Sequence, residues 1–333
     1  MKVFVPTHHH LHAPSKDFSD GLPAFDHMER PERVEKIIRG LKGAGITDLV
    51  NVEATACDAV FSLHDHDYVE FLFELSQQIE PGQEYLPSVF HEHLGEAPVW
   101  FRGGAYCREI GTPIGRHTVD AALNSAACAL EAAEYILNTN MDCFALCRPP
   151  GHHAGRRRYG GYSFFNNAYL AAELIGKAGK RTAVLDIDYH VGDGSIEFAS
   201  EAAPYYSLHA HPGRNYPYLA SLTDAELPHV TQSILPEGVD IRQYLQQLGG
   251  LLDLIEVQPV DILVLSLGFD TLGIDYIQDE ETSIAVDDFE QIGAAIARVG
   301  KPILFVMEGG YDPDYLVACT ENFFSGYTRA KPS

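Results

Sequence analysis

Thr182-Ala183-Val184-Leu185-Asp186-Ile187-Asp188-Tyr189-His190 is a short apolar run that ends in carboxylates and an imidazole. A continuous apolar body of this length predicts a strand buried on both faces, because a half-exposed strand would alternate with polar residues. Three other stretches have the same form. Residues 143–147 run into Arg148-Pro149-Pro150-Gly151-His152-His153, residues 262–267 into Gly268-Phe269-Asp270, and residues 303–307 into Glu308-Gly309-Gly310-Tyr311. In an open parallel sheet, ligands bind beyond the carboxyl ends of the strands. The four clusters are therefore expected together at one edge of one sheet.

Outward from these runs, strands are expected at residues 2–5, 49–53, 142–147, 181–187, 205–208, 231–235, 261–267 and 302–307. Helical patterns separate most of them, at residues 31–41, 67–75, 119–137, 167–176, 241–255, 287–299 and 314–324. Alternation of this kind predicts an α/β fold, a mostly parallel central sheet with helices on both faces. No linker or repeat divides the chain, and residues from 148 to 311 must meet at one site, so residues 1–333 are read as a single domain. Residues 80–112 break the rhythm with Pro81, Gly82, Pro87, Gly95, Pro98, Gly103, Gly104 and Gly111. Tyr85, Phe90, Trp100, Phe101 and Tyr106 argue that this long loop is ordered, as an active-site wall or a contact with a second subunit.

The chain carries a net charge of −24 on 333 residues. That balance disfavours nucleic acid and anionic membranes and favours cationic substrates. The six cysteines form no CxxC pair, and a chain of this size needs no disulfide staples. No apolar run approaches membrane-spanning length, and the first residues lack the apolar stretch of a signal peptide. A reduced, cytoplasmic setting is expected.

Asp188, His190 and Asp270 make a mixed nitrogen and oxygen donor set suited to Zn2+ or Fe2+, with positions left for water and substrate. Asp186 and Asp193 are candidate acid partners for His152 and His153, each able to accept an N–H from one of the two. Two His–Asp pairs beside an open metal form a general acid–base device. Tyr311, after two glycines, is placed to donate to a carbonyl oxygen as charge develops on it. Any one of these patterns is common on solvated loops; their joint position at strand exits gives them weight. His8, His9, His10 and His12 follow the first strand and are assigned no metal.

Taken in order, Arg148-Pro149-Pro150-Gly151-His152-His153-Ala154, Asp186-x-Asp188-x-His190 with Gly192-Asp193-Gly194, Ser207-Leu208-His209, Leu235-Pro236-x-Gly238, Gly268-x-Asp270 and Gly309-Gly310-Tyr311 resemble the zinc-dependent histone deacetylase superfamily. The resemblance covers roughly residues 1–325 and implies an arginase/deacetylase-like fold. Residues 18–33, the long loop and Gly111-Thr112-Pro113-Ile114 look most like its bacterial acetylpolyamine amidohydrolase branch. The resemblance implies that Asp188, His190 and Asp270 hold the metal, that His153 is general base and then acid, and that His152 is its electrostatic partner. Tyr311 would polarise the carbonyl. Gly161, Tyr162 and Tyr216 would wall the channel, Tyr216 standing where the family usually carries Phe. Asp186 and Ser207, with backbone at Asp188, His190 and Leu208, would hold a structural K+. The implied reaction is deacetylation of a small cationic amine such as acetylputrescine, acetylcadaverine or acetylspermidine, with Glu92, Glu96 or Asp20 as the acid for the distal ammonium. The alternatives are an acetyl-lysine deacetylase of proteins or peptides, and a catalytically silent acyl-amine-binding relative. A homodimer through the long loop is also expected from the resemblance.

Overall fold

The computed structural model describes residues 1–18, 23–88, 97–278 and 282–331. An eight-stranded sheet contains β1 (Lys2–Pro6), β2 (Asp48–Val52), β3 (Cys143–Ala145), β4 (Thr182–Asp186), β5 (Tyr205–His209), β6 (Val230–Ile234), β7 (Ile262–Leu267) and β8 (Ile303–Met307). Their order is β6-β5-β4-β7-β8-β3-β1-β2. Every neighbouring pair in this sheet is parallel. Antiparallel strand pairing among the described residues is confined to two short ribbons outside it, Lys16–Asp17 with Phe25–Asp26 and Glu84–Tyr85 with Ile114–Gly115.

All eight expected strands are present. The strand expected to reach residue 147 ends at Ala145. Leu146 still donates to the Phe4 carbonyl (2.9 Å), but Pro149 and Pro150 have no N–H with which to extend the ladder. The strands that feed the reactive clusters, β4, β7, β8 and β3, are consecutive neighbours in the middle of the sheet. Because they are parallel, their carboxyl ends lie along one edge.

The main helices are α1 (Glu32–Gly43), α2 (His66–Gln78), α3 (Thr118–Thr139), α4 (Asn167–Lys177), α5 (Ile241–Glu256), α6 (Asp288–Ala297) and α7 (Leu316–Ala330). The period of two along each strand divides its side chains between two cores. Phe4, Cys143, Ala145, Val264 and Val306 pack with α2, α3 and α4. Val3, Val5, Phe144, Leu265 and Phe305 pack with α1, α5, α6 and α7. Alanines 121, 122, 126, 127, 129, 132 and 133 of α3 are all buried; their small size lets this long helix lie close to the sheet.

Helices α6 and α7 touch backbone to backbone. A Cβ on Gly293 would stand 1.9 Å from the Phe323 carbonyl oxygen, and one on Gly326 would stand 2.0 Å from that of Glu290. Neither obstacle is the end of a flexible side chain. Alanine would gain about 1 kcal/mol in helix propensity, while overpacking typically costs about 1–3 kcal/mol and occasionally more. With backbone atoms as the obstacle the upper part of that cost applies, and Gly293→Ala is expected to lose about 1–2 kcal/mol net by urea unfolding; a neutral or stabilising result would contradict the close crossing.

Candidate metal and catalytic site

The exits of β4 and β7 bring Asp188, His190 and Asp270 together, with candidate ligand atoms all within 4.8 Å of one another and every side chain buried. His190 Nδ1 lies 3.5 Å from Asp188 Oδ1 and 3.4 Å from Asp270 Oδ2. Backbone N–H groups fix the carboxylates from behind: Gly309 donates to Asp188 Oδ2 (2.8 Å) and Tyr189 to Asp270 Oδ1 (3.1 Å). Asp270 Oδ2 is buried with no hydrogen-bond partner among the described residues. An orphaned buried carboxylate oxygen aimed at a second carboxylate and an imidazole fits a bound divalent cation. Burial, and then Asp188, pushes the Asp270 carboxyl above its ordinary range. Burial opposes charge on His190, but Asp188 and Asp270 outweigh it and lift the imidazole to about 9. Metal entry would therefore release a proton from His190.

The two histidines after β3 sit in opposite electrostatic settings. His153 Nδ1 lies 2.8 Å from Asp193 Oδ1. Asp193 Oδ2 accepts from Arg108 (2.6 Å) and Arg158 (2.9 Å). Against the cost of burial, His153 and these arginines hold Asp193 below the usual carboxylate range. An ionised Asp193 orients the His153 Nδ1–H toward itself and leaves Nε2 with a free lone pair. Burial, and then His152, lowers His153 to about 3, so it is neutral at pH 7. His152 Nδ1 lies 3.1 Å from Asp186 Oδ2, and its Nε2 lies 3.7 Å from Asp188 Oδ1. Burial works against its charge, yet Asp188 and Asp186 raise it well above the ordinary value. Of these two neighbouring histidines, one is thus held neutral and the other charged. Glu308 anchors the same loop, accepting N–H bonds from Gly151 (2.8 Å) and His152 (3.1 Å).

Tyr311 follows β8 and shares a cavity with His153 and His190. Burial raises its phenol well above the ordinary value, so it keeps its proton and remains a donor. Arg33 lies 4.6 Å from the ring centroid.

With this geometry in view, the chain can be set beside known proteins. The profile of the Histone deacetylase domain matches residues 27–327. The chain belongs to the histone deacetylase family. It is 31% identical over 328 residues to an acetylpolyamine amidohydrolase of Mycoplana ramosa, covering 93% of this chain and 95% of that one. Histone deacetylase 8 of Arabidopsis thaliana is 28% identical, over 91% of this chain and 79% of its own. The crystal structure of an acetylpolyamine aminohydrolase from Burkholderia pseudomallei superposes with a TM-score of 0.92 at 29% identity, covering 100% of both chains.

In this deacetylase-family chain the cavity leading to His153, His190 and Tyr311 has a volume of about 180 Å3. Gly161, Tyr162 and Tyr216 all line it. Gly161 has φ +52, and a Cβ there would stand 2.2 Å from His153 Cδ2. Tyr162, also left-handed at φ 63, is held by its hydroxyl bond to Asp17 (2.5 Å) and by its N–H bond to Thr112 (2.9 Å). The Tyr216 ring meets His153 edge-on at 4.7 Å. Its hydroxyl donates to Glu109 Oε2 (2.9 Å), which gives the tyrosine at this usual Phe position a partner.

Glu109 was not singled out from the sequence. It comes from the end of the long loop, lines the cavity, and also accepts from Thr112 (2.7 Å) and the Gly161 N–H (3.2 Å). Burial raises its carboxyl despite these bonds. Its position just before Gly111-Thr112-Pro113 was the available signal. Asp20, Glu92 and Glu96, the acids chosen instead, lie outside the described residues.

Asp186 Oδ1 accepts from the Asp188 N–H (3.1 Å), and Asp186 pairs in register with Ser207 across β4 and β5. Ser207 Oγ is buried with no hydrogen-bond partner among the described residues, beside buried Leu208. His9 and His12 are buried away from the triad; burial lowers them to about 4 and about 3, and His12 Nδ1 lies 2.9 Å from Thr118 Oγ1. They are structural histidines.

Because the raised Asp270 opposes folding of the metal-free chain, increasingly as pH rises through its pKa, Asp270→Asn is expected to melt higher than wild type without metal. Under saturating Zn2+ the order should reverse, with bound metal by elemental analysis falling well below one equivalent. Full metal occupancy in Asp270→Asn would contradict its place in the site.

Proposed function

We propose that this chain is a metal-dependent amidohydrolase that removes acetyl groups from small cationic amines, with acetylputrescine, acetylcadaverine and acetylspermidine as the substrate class. The observation that carries the substrate class is Glu109, a carboxyl group set into the wall of a narrow cavity that reaches His190 of the Asp188, His190 and Asp270 cluster. A cavity of about 180 Å3 is smaller than the ~300 Å3 and upward of drug-sized pockets; it suits an acetamide on a thin alkyl stem. An ammonium beside Glu109 would restore the ionised carboxylate that burial disfavours. The relatives named acetylpolyamine amidohydrolase point the same way.

Zn2+, or Fe2+ in vivo, held by Asp188, His190 and Asp270 would polarise the amide carbonyl and acidify water at neutral pH. His153 Nε2 takes the proton of the attacking water. Tyr311 donates its hydroxyl hydrogen bond to the carbonyl oxygen as that oxygen gains negative charge. The charge on His152 lies behind His153 and favours that anionic stage. His153 then delivers its proton to the leaving nitrogen; the C–N bond breaks, giving acetate and a free amine. Asp186, Ser207 and the backbone of Leu208, Asp188 and His190 form the proposed structural K+ site, where the unpartnered Ser207 hydroxyl would gain a cation.

Acetate release by the Zn2+-loaded protein tests this reading. Acetylputrescine is expected to be a better substrate than an acetyl-lysine peptide, and Tyr311→Phe to lose about 10²–10³ in kcat while still binding metal. Full turnover by that variant would overturn the catalytic assignment, a preference for the peptide would move the chain to acetyl-lysine substrates, and no turnover of any amide would make it a silent relative. Glu109→Gln is expected to raise KM for acetylputrescine about 10–100-fold, the worth of a charged hydrogen bond, and to leave neutral N-butylacetamide unchanged. Equal effects on both would remove Glu109 from ammonium recognition.

A further inference from the structure

The peptide group that joins Gly310 to Tyr311 is gripped at both ends by buried ionisable side chains. Its carbonyl oxygen accepts from Arg33 Nε (2.7 Å), and its N–H donates to Asp275 Oδ2 (2.8 Å). The same Asp275 oxygen accepts the Asp312 N–H (3.1 Å), and the other oxygen accepts the Ile277 N–H (3.1 Å). Arg33 Nη2 also donates to the Glu308 carbonyl (2.5 Å), and its Nη1 to Glu29 Oε1 (2.9 Å). Asp275 is buried, and among the described residues no cation pairs with it; its partners are backbone N–H groups.

A clamp is needed at this point. Gly310 has φ +114, and a Cβ there would stand 2.8 Å from Phe269 Cβ. Two successive glycines at 309 and 310 give the chain the freedom to place Tyr311, and the same freedom lets the ring wander. Burial, and then Asp270, pushes the Asp275 carboxyl up to about 7. A carboxylate retained in so unfavourable a setting, aimed at the backbone of the residue that contacts the substrate, has a positional use.

We propose that Asp275 is a positioning residue for Tyr311: by holding the Tyr311 and Asp312 N–H groups against the pull of Arg33 on the Gly310 carbonyl, it sets the phenol at the carbonyl-binding point. Asp275 lies in the loop that Asp270 opens, so it also couples the Tyr311 loop to the metal-bearing loop. This rests on the reading of Tyr311 as the hydroxyl that polarises the scissile carbonyl.

A double-mutant cycle separates positioning from general support. A displacement of about 1 Å from a site removed from the chemistry can cost about 10²-fold. Asp275→Ala in the Zn2+-loaded protein is therefore expected to lower kcat about 10–100-fold, with KM and metal content near wild type. In the Tyr311→Phe background the same substitution should have almost no further effect, because no hydroxyl remains to be placed. Amide hydrogen exchange of residues 309–312 should quicken in Asp275→Ala without substrate. If Asp275→Ala fails to fold, Asp275→Asn, which keeps one acceptor oxygen, is carried through the same cycle with a smaller expected loss. An equal fall in both backgrounds, or unchanged exchange at 309–312, would overturn the positioning role. Wild-type turnover that survives Tyr311→Phe would instead overturn the role of Tyr311 itself.

Discussion

Two buried carboxylates, Asp188 and Asp270, are held facing one imidazole at the middle of the sheet edge, and the surrounding structure is built to keep them there. In water they would turn apart or take up protons. Here each is pinned by a backbone N–H, from Gly309 and from Tyr189. The glycines of the strand exits follow from the same crowding. A Cβ on Gly268 would stand 2.2 Å from Asp188 Oδ2, and a Cβ on Gly309 would stand 2.2 Å from Asp270 Oδ2. Adjacent parallel strands supply this closeness, since β4, β7 and β8 are neighbours whose exits lie side by side. A divalent cation bound there would relieve the repulsion and satisfy the orphaned Asp270 oxygen, so the energetic defect of the bare fold and its proposed chemical use would have one cause.

Around that centre, charge is apportioned unevenly. His152 and His153 are sequence neighbours with ring centroids 4.0 Å apart, and they cannot both be cations at reasonable cost. Asp186 and Asp188 give the proton to His152. Asp193, held ionised between Arg108 and Arg158, gives His153 a defined tautomer, while burial and then His152 leave it uncharged. Arg108 and Glu109 both arrive from the long loop, one behind the base and the other on the channel wall. On the proposed function, that loop would serve both the base and substrate choice through adjacent residues.

Much of this was legible in the sequence because it is local. Apolar runs that end in Asp186-x-Asp188-x-His190, Gly268-x-Asp270 and Glu308-Gly309-Gly310-Tyr311 report strand and site together, and parallel pairing does the rest. Gly161, Tyr162 and Tyr216, singled out from the sequence, line the cavity. Contacts between distant segments were not legible. Arg33 reaches the Gly310 carbonyl and Asp275 reaches the Tyr311 N–H across 277 and 36 positions, and no spacing rule announces either. Glu109 was hidden for a different reason: a Glu in an irregular loop looks like a solvated surface acid until Tyr216, Thr112 and Gly161 close around it. The helix at Cys57–Leu63 also escaped notice, being too short for a 3.6-residue period to stand out.

Hydrolysis as proposed depends on a cation held by Asp188, His190 and Asp270. The most direct test is to strip the protein with a chelator, confirm by elemental analysis that no divalent metal remains, and follow acetate release from acetylputrescine as Zn2+ or Fe2+ is returned. Activity that vanishes on stripping and recovers in proportion to metal up to one equivalent is the predicted result. Hydrolysis that persists in the stripped protein would contradict the account.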